Sequence, residues 1–217
     1  MEPKARGHTY HRKDLKRTLI RAVRAELREH GPDFVSLRRI AARAGVSHTA
    51  PYRHFKGKDG MLAALCWEGQ AEFTACLKQA REVGKSPADR LLRLGTAYLE
   101  FAEKNPEVFR LMFSETGKRA MIAHHPDDVM KSPSDYDSFE VLESTVTECQ
   151  RAGTLDPHEE SGALAMLIWS FIHGFAHIRR EGFASSMGAS RGLDGETTER
   201  LVMRAFRGLI LGDSGRR

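Results

Sequence analysis

The sequence predicts an all-α protein in two parts: an N-terminal three-helix unit of the helix-turn-helix type, joined by a long helix to a larger helical domain. Three observations carry this prediction. Apolar residues recur at three- to four-residue spacing from Leu15 to Ile210, and no segment shows the alternation of a half-buried strand. Two short helical patterns also meet at Gly45-Val46-Ser47, inside the stretch Ser36 to Met61.

Residues 1–13 are polar and basic, lack apolar periodicity, and are expected to be mobile. Asp14 is placed to cap the first helix, in which Leu15, Leu19, Val23 and Leu27 step by four until Gly31-Pro32 stops it. Phe34 and Val35 then lead into the next helix as core residues. There Leu37, Ile40, Ala41 and Ala44 form an apolar side, with Arg38, Arg39 and Arg43 facing outward. Gly45 supplies a left-handed cap, and Ser47 serves as N-cap of a second helix from His48 to about Phe55. Pro51 falls in the first turn of that helix, where its missing N–H costs least and its fixed φ stiffens the start. Two helices held at a steep angle by so short a turn fit the major groove of DNA, the second presenting its N-terminal side chains to base edges.

Gly57 to Gly60 reads as a short break before a long helix that runs to about Val83, with Leu62, Leu65, Gly69, Phe73 and Leu77 on one stripe. Lys58, beside its start, sits where an ammonium and free N–H groups can hold a phosphate together. After Ser86-Pro87 the helical pattern resumes with Leu91, Leu94, Tyr98 and Phe101; Asn105-Pro106 resets the chain before Val108, Phe109, Met112 and Phe113. Residues 124–137 carry two prolines and read as a loop. A helix from about Ser138 to Arg151 follows, then one beginning near Pro157 that is apolar on two sides, with Leu164, Ile168, Phe171, Phe175 and Ile178 on one and Ala165, Trp169, His173 and Ala176 on the other. The stretch from Phe183 to Glu196 reads as flexible. The last helix carries a broad apolar band of Leu201, Val202, Ala205, Phe206, Leu209 and Ile210, which a single chain would leave exposed; a homodimer built on the last two helices covers it.

Charge is divided along the chain. Residues 1–58 hold 15 Lys and Arg against 5 Asp and Glu, and the remainder holds 19 against 24. A cationic field confined to the segment with the two short helices attracts polyanions, with salt-dependent affinity. No apolar run approaches the roughly 20 residues that span a bilayer, and the N-terminus lacks an apolar export signal, so a cytoplasmic protein is expected. Cys66, Cys76 and Cys149 form no CxxC pair and are expected to be buried, inert thiols.

With these residues in view, the chain resembles the TetR/AcrR family of one-component transcriptional regulators, most specifically over residues 10–65. The carriers are Leu37 to Ala44, Gly45-Val46-Ser47 and the run Tyr52-Arg53-His54-Phe55-Lys56-Gly57-Lys58. Tyr10-His11 with Asp14-Leu15, and Trp169 with His173-Gly174, look like the branch with a Trp-His-Gly effector domain. The resemblance implies a DNA-binding domain (1–58) and a helical domain (59–217) that binds a small molecule and dimerises. It implies double-stranded DNA, an effector and a second copy of the chain as partners, with no cofactor and no enzymatic activity.

Carried over by position, Arg38, His48, Thr49 and Ala50 are candidates for base contact: arginine pairs bidentately with guanine, and an alanine methyl meets that of thymine. Tyr52, His54 and Lys58 are assigned to phosphates, which set register without reading sequence, and Arg53 to either. Phe109, Met112, Phe113, Trp169 and His173 form the candidate effector site, an apolar lining with one polar tip. The competing reading is a metal site or enzyme built on His173, His177 and Glu181, spaced i, i+4 and i+8 on one helix face; HGFAH lacks the glutamate of the HExxH pattern.

Overall fold

The computed structural model describes residues 12–31, 35–124 and 137–212, with the side chains of 12–14 and 209 left aside. The expectations for the N-terminal arm, for Phe34, for most of the 124–137 loop and for the side chain of Leu209 lie outside these residues, whereas Asp14, expected to cap the first helix, falls within a helix that has already begun at Arg12. Among the described residues every regular element is helical: α1 (Arg12–His30), α2 (Leu37–Arg43), a 3-10 turn (Pro51–Arg53), α3 (Gly57–Glu82), α4 (Pro87–Lys104), α5 (Pro106–Met112), α6 (Glu115–Ala123), α7 (Ser138–Arg151), α8 (Ser161–Arg180), α9 (Phe183–Ala189) and α10 (Gly195–Leu211). The described chain divides into two compact units, one within Met1–Gly69 and Glu107–Met130, the other within Gln70–Pro106 and Lys131–Arg217. Compactness therefore changes hands inside α3, and α5 and α6 return to the first unit; the 58/59 division remains a functional boundary proposed from sequence.

In the first unit, Leu19, Val23 and Leu27 of α1 are buried with Leu37, Ile40 and Ala41 of α2 and with Met61, Leu62 and Leu65 of α3. Ser36 caps α2 by accepting a hydrogen bond from the Arg39 N–H. Gly45, at φ 67°, ends it with Val46 N–H donating to the Ala41 carbonyl at 3.0 Å. The expected break at Gly57 to Gly60 is instead the first turn of α3, entered through Gly57 at φ 77°. Close packing explains Gly69. A Cβ there would run into Val108 and lie 2.8 Å from the Met112 sulfur, so α5 approaches α3 only where the side chain is missing. Helix α6, which no strong apolar pattern announces, is capped by Ser114 accepting from Gly117 N–H. Its end is tied to α3 by Trp67 Nε1–H donating to the His124 carbonyl at 3.1 Å.

In the second unit, α7 packs against α4 and α8, α8 also against α4 and α9, and α9 against α10. Glu148 of α7 accepts from Arg90 of α4 at 2.9 Å and from Arg81 of α3, and these hydrogen bonds outweigh its partial burial to hold its carboxyl below the usual range. Arg179 of α8 bridges Glu103 at 2.8 Å and Glu199 at 3.0 Å. The stretch expected to be flexible after Arg180 contains α9. Its small residues are the reason: buried Gly188 lets α9 approach Thr198 of α10, where any side chain would clash. No residue of α10 with a described side chain is buried in the single chain, and Leu201 is among its exposed large apolar residues. Among the described residues α8 alone has the length and composition of a membrane-crossing helix, which departs from the expectation drawn from the sequence; its Ala165, Ile168, Ile172, Phe175 and Ala176 are buried inside the unit. Cys66 and Cys149 are buried, and burial pushes their thiols up to about 12 and about 11, whereas Cys76 is exposed, contrary to expectation.

Candidate nucleic-acid interface

The segment after Gly45 does not form the α-helix its sequence suggests. Ala50 N–H donates to Ser47 O at 3.0 Å, Arg53 N–H to Ala50 O at 3.2 Å and His54 N–H to Pro51 O at 2.9 Å, all three-residue bonds, before Phe55 N–H reaches Pro51 O. Pro51 has no N–H to give the Ser47 carbonyl, so the four-residue ladder lacks its first rung and the turn tightens to 3-10 geometry. Ser47 is not the N-cap expected of it: the turn begins after Ala50 with no side-chain cap, and the Ser47 hydroxyl lies 3.3 Å from that of Thr49. Pro51 and Phe55 are buried and fix this turn to the first unit.

Most of the candidate DNA contacts lie on the outside of this frame. Arg38, His48, Thr49, Tyr52 and Arg53 are exposed, Tyr52 at 65% despite its aromatic ring. His54 and Lys58 are half-buried, and Lys58 occupies the first turn of α3. Ala50 differs. It is buried at 9%, because the tight turn directs it into the frame, and the thymine contact expected of it is withdrawn.

A second correction concerns the arginines of α2. Arg39 and Arg43 do not simply face outward. Arg39 Nε donates to Glu26 Oε1, Arg43 Nη1 donates to Glu26 Oε2 at 3.1 Å and to Glu29 Oε2 at 2.7 Å, and Arg43 Nη2 also bonds Glu29. Hydrogen bonding and charge from Arg43 hold the Glu29 carboxyl below the ordinary range and raise the guanidinium correspondingly. Arg38, the residue before Arg39, has no ion-pair partner among the described residues. The sequence carries only two partial signs of this network, neither of which pairs its members. Glu26 interrupts an apolar stripe of α1, and Arg39 and Arg43 are spaced by one turn on α2.

The candidate effector residues fall into two groups. In the first unit Phe109 and Met112 are buried, and the Phe109 and Phe113 rings sit 4.9 Å apart. In the second unit Trp169 stacks on His173 at 5.0 Å and 25°, and His173 Nδ1 lies 2.6 Å from the Tyr98 hydroxyl. Tyr98 in turn meets Phe73 edge-on at 5.1 Å. Burial raises the Tyr98 phenol, with a hydrogen bond to Trp169 opposing it; burial, reinforced by His177, lowers His173 to about 4. The centre of this cluster is therefore uncharged near neutral pH. Tyr98, taken from the sequence only as an apolar-stripe residue, is its polar anchor.

Two clefts of about 490 and 450 Å³ open in the second unit, one lined by residues including Lys78, Arg81, Arg90 and Glu140, the other including Cys76, Ala80, Glu100 and Lys104. Neither reaches Trp169 or His173. The metal reading loses its geometry: the His173 and His177 rings are 4.6 Å apart, but with Glu181 they do not converge on a common point. The one three-ligand group among the described residues is Glu26, Glu29 and His30, whose carboxylates are held by Arg39 and Arg43.

Comparison with known proteins adds two family matches. Residues 19–65 match the model of bacterial regulatory proteins of the tetR family, and residues 91–209 match the tetracyclin repressor-like C-terminal domain. The nucleoid occlusion factor SlmA of Haemophilus ducreyi is 26% identical over 159 residues, 73% of this chain and 77% of that protein. A protein of unknown function from Rhodococcus sp. RHA1 superposes with a TM-score of 0.70 at 25% identity, over 97% of this chain and all of the other. FadR of Bacillus subtilis, solved in complex with stearoyl-CoA, gives a TM-score of 0.67 at 14% identity, over 91% and 98% of the two chains.

Proposed function

Since the chain belongs to the TetR family of bacterial regulators, we propose that it is a ligand-responsive repressor that binds a near-palindromic operator as a homodimer and is released by a small-molecule effector. The observation that carries this reading is the exposed set of Arg38 on α2 and His48, Thr49, Tyr52 and Arg53 on the following turn, which buried Pro51 and Phe55 hold in place. Arg38, His48 and Thr49 read bases, Tyr52, His54 and Lys58 hold phosphates, and Arg53 serves either role. In a two-fold dimer the two reading turns meet successive major grooves about 34–36 Å apart. The apolar band of α10, left unburied in one chain, supplies the face for the second copy. On this reading the protein acts in the cytoplasm, without a cofactor and without catalysis.

The effector reading rests on the second unit. Trp169 offers an aromatic face, His173 and Tyr98 offer uncharged hydrogen-bonding groups beside it, and His177 adds a second imidazole. Phe109, Met112 and Phe113 are assigned to effector binding on composition alone, as is the Trp-His-Gly branch on Trp169, His173 and Gly174. An effector shifts DNA affinity only by its differential binding to two states of the protein. Titration of duplex DNA at rising salt tests the function: affinity should fall steeply with salt, and salt-independent binding would contradict it. Quenching of Trp169 fluorescence by compounds that also release DNA tests the effector site. Nucleoid occlusion is a second reading, favoured by the likeness to SlmA. Transcript levels unchanged on removal of the protein would favour it.

A further inference from the structure

Glu26 sits on the apolar side of α1, 3% exposed, among buried Ile20, Val23 and Leu27. A carboxylate in such a place persists only with charged partners. It has two, Arg39 Nε and Arg43 Nη1 at 3.1 Å, with the His30 ring nitrogen Nδ1 3.4 Å away. Glu29 takes the other side of the Arg43 guanidinium. Two carboxylates thus offset two guanidinium groups of α2, whose own side chains are 46% and 33% exposed and so within reach of solvent and solutes.

We infer that Glu26 is a specificity-determining positioning residue: by engaging Arg39 and Arg43 it withholds two cations from DNA phosphates and leaves Arg38 as the uncompensated arginine of α2. The physical basis is counterion release. Sequence-independent affinity grows with each cation that neutralises a phosphate, whereas a guanidinium already paired with a carboxylate displaces no counterion. Fewer phosphate contacts mean weaker binding to arbitrary DNA and a larger share of affinity from base contacts. The same pairs lock the roll of α2 against α1, which fixes the direction of Arg38.

The inference rests on the DNA-binding reading, and the test separates the two. Binding of the full chain to a random-sequence duplex is measured across about 50 to 200 mM salt for wild type, Glu26→Gln, Arg39→Gln, and Glu26→Gln combined with Arg39→Gln and Arg43→Gln. Glu26→Gln should steepen the slope of log affinity against log salt by about 0.9, for Arg39 alone, because Glu29 still holds Arg43, and the triple variant should restore the wild-type slope. Arg39→Gln alone should leave the slope unchanged. An unaltered slope in a folded Glu26→Gln protein, or a shallower slope in Arg39→Gln, overturns the inference. If Glu26→Gln does not fold, Arg39→Gln decides by itself. Wild-type protein that binds no duplex overturns the DNA-binding reading together with this one.

Discussion

The Tyr98 hydroxyl and His173 Nδ1 lie 2.6 Å apart, joining α4 to α8 through a phenol and an imidazole that burial keeps uncharged. The phenol can donate to Nδ1 of the neutral imidazole that carries its proton on Nε2. The His173 value of about 4 lies below its ordinary 6.5, so between these values the unfolded chain binds the proton and the folded chain does not. This group's contribution is complete above pH 6.5 and is lost as pH falls toward 4. NMR titration should find one imidazole near 4, and Tyr98→Phe, which removes the donor to neutral Nδ1, should raise that value and cost about 1 kcal/mol of stability.

Contacts to phosphate and to bases respond differently to mutation. Tyr52→Ala and Lys58→Ala should weaken binding about equally on all duplexes, and Lys58→Ala should reduce the salt slope by about 0.9. Arg38→Ala should cost about 1–3 kcal/mol on the preferred site and relax preference at one position per half-site. Competition titrations with operator and scrambled duplexes check both.

Gly69 tests the close approach of α5 to α3. Replacing a mid-helix glycine by alanine ordinarily gains up to about 1 kcal/mol. Here the new methyl meets Val108 and the Met112 sulfur, and overpacking of that kind costs about 1–3 kcal/mol. The second effect should win, so Gly69→Ala should lower the midpoint of thermal unfolding. Gly117→Ala should be worse, because its methyl meets the backbone carbonyl of Leu111, which cannot swing aside.

The band on α10 predicts the oligomer. Leu201→Glu places a charge on an apolar surface that the single chain leaves exposed, and in the proposed dimer that charge would be buried without a partner. Light scattering should find a dimer for wild type and a monomer for the variant, with operator affinity falling in parallel.

The fold was largely readable because helix periodicity and caps are local signals. Leu19, Val23 and Leu27 mark α1, Ser86 marks the start of α4, and the bounds of α7 agree with the pattern from Ser138 to Arg151. What escaped depends on tertiary contact. The small-residue composition of Phe183 to Ala189 hid a helix whose reason is the approach of Gly188 to α10, and Pro51 turned an expected α-helix into a 3-10 turn. The pairing of Arg39 and Arg43 with Glu26 joins residues 13 and 17 positions apart, beyond the reach of any local pattern. Ala50 shows the same limit from the other side: residue type suggested a base contact, and the fold buries it.

Selection of bound duplexes from a random pool tests the central claim most directly. A near-palindromic consensus with half-sites centred about 10–10.5 base pairs apart is expected, and Arg38→Ala should erase preference at symmetric positions of both halves. Recovery of sequences with no shared motif, or of a motif without two-fold symmetry, would contradict a dimeric operator-reading protein.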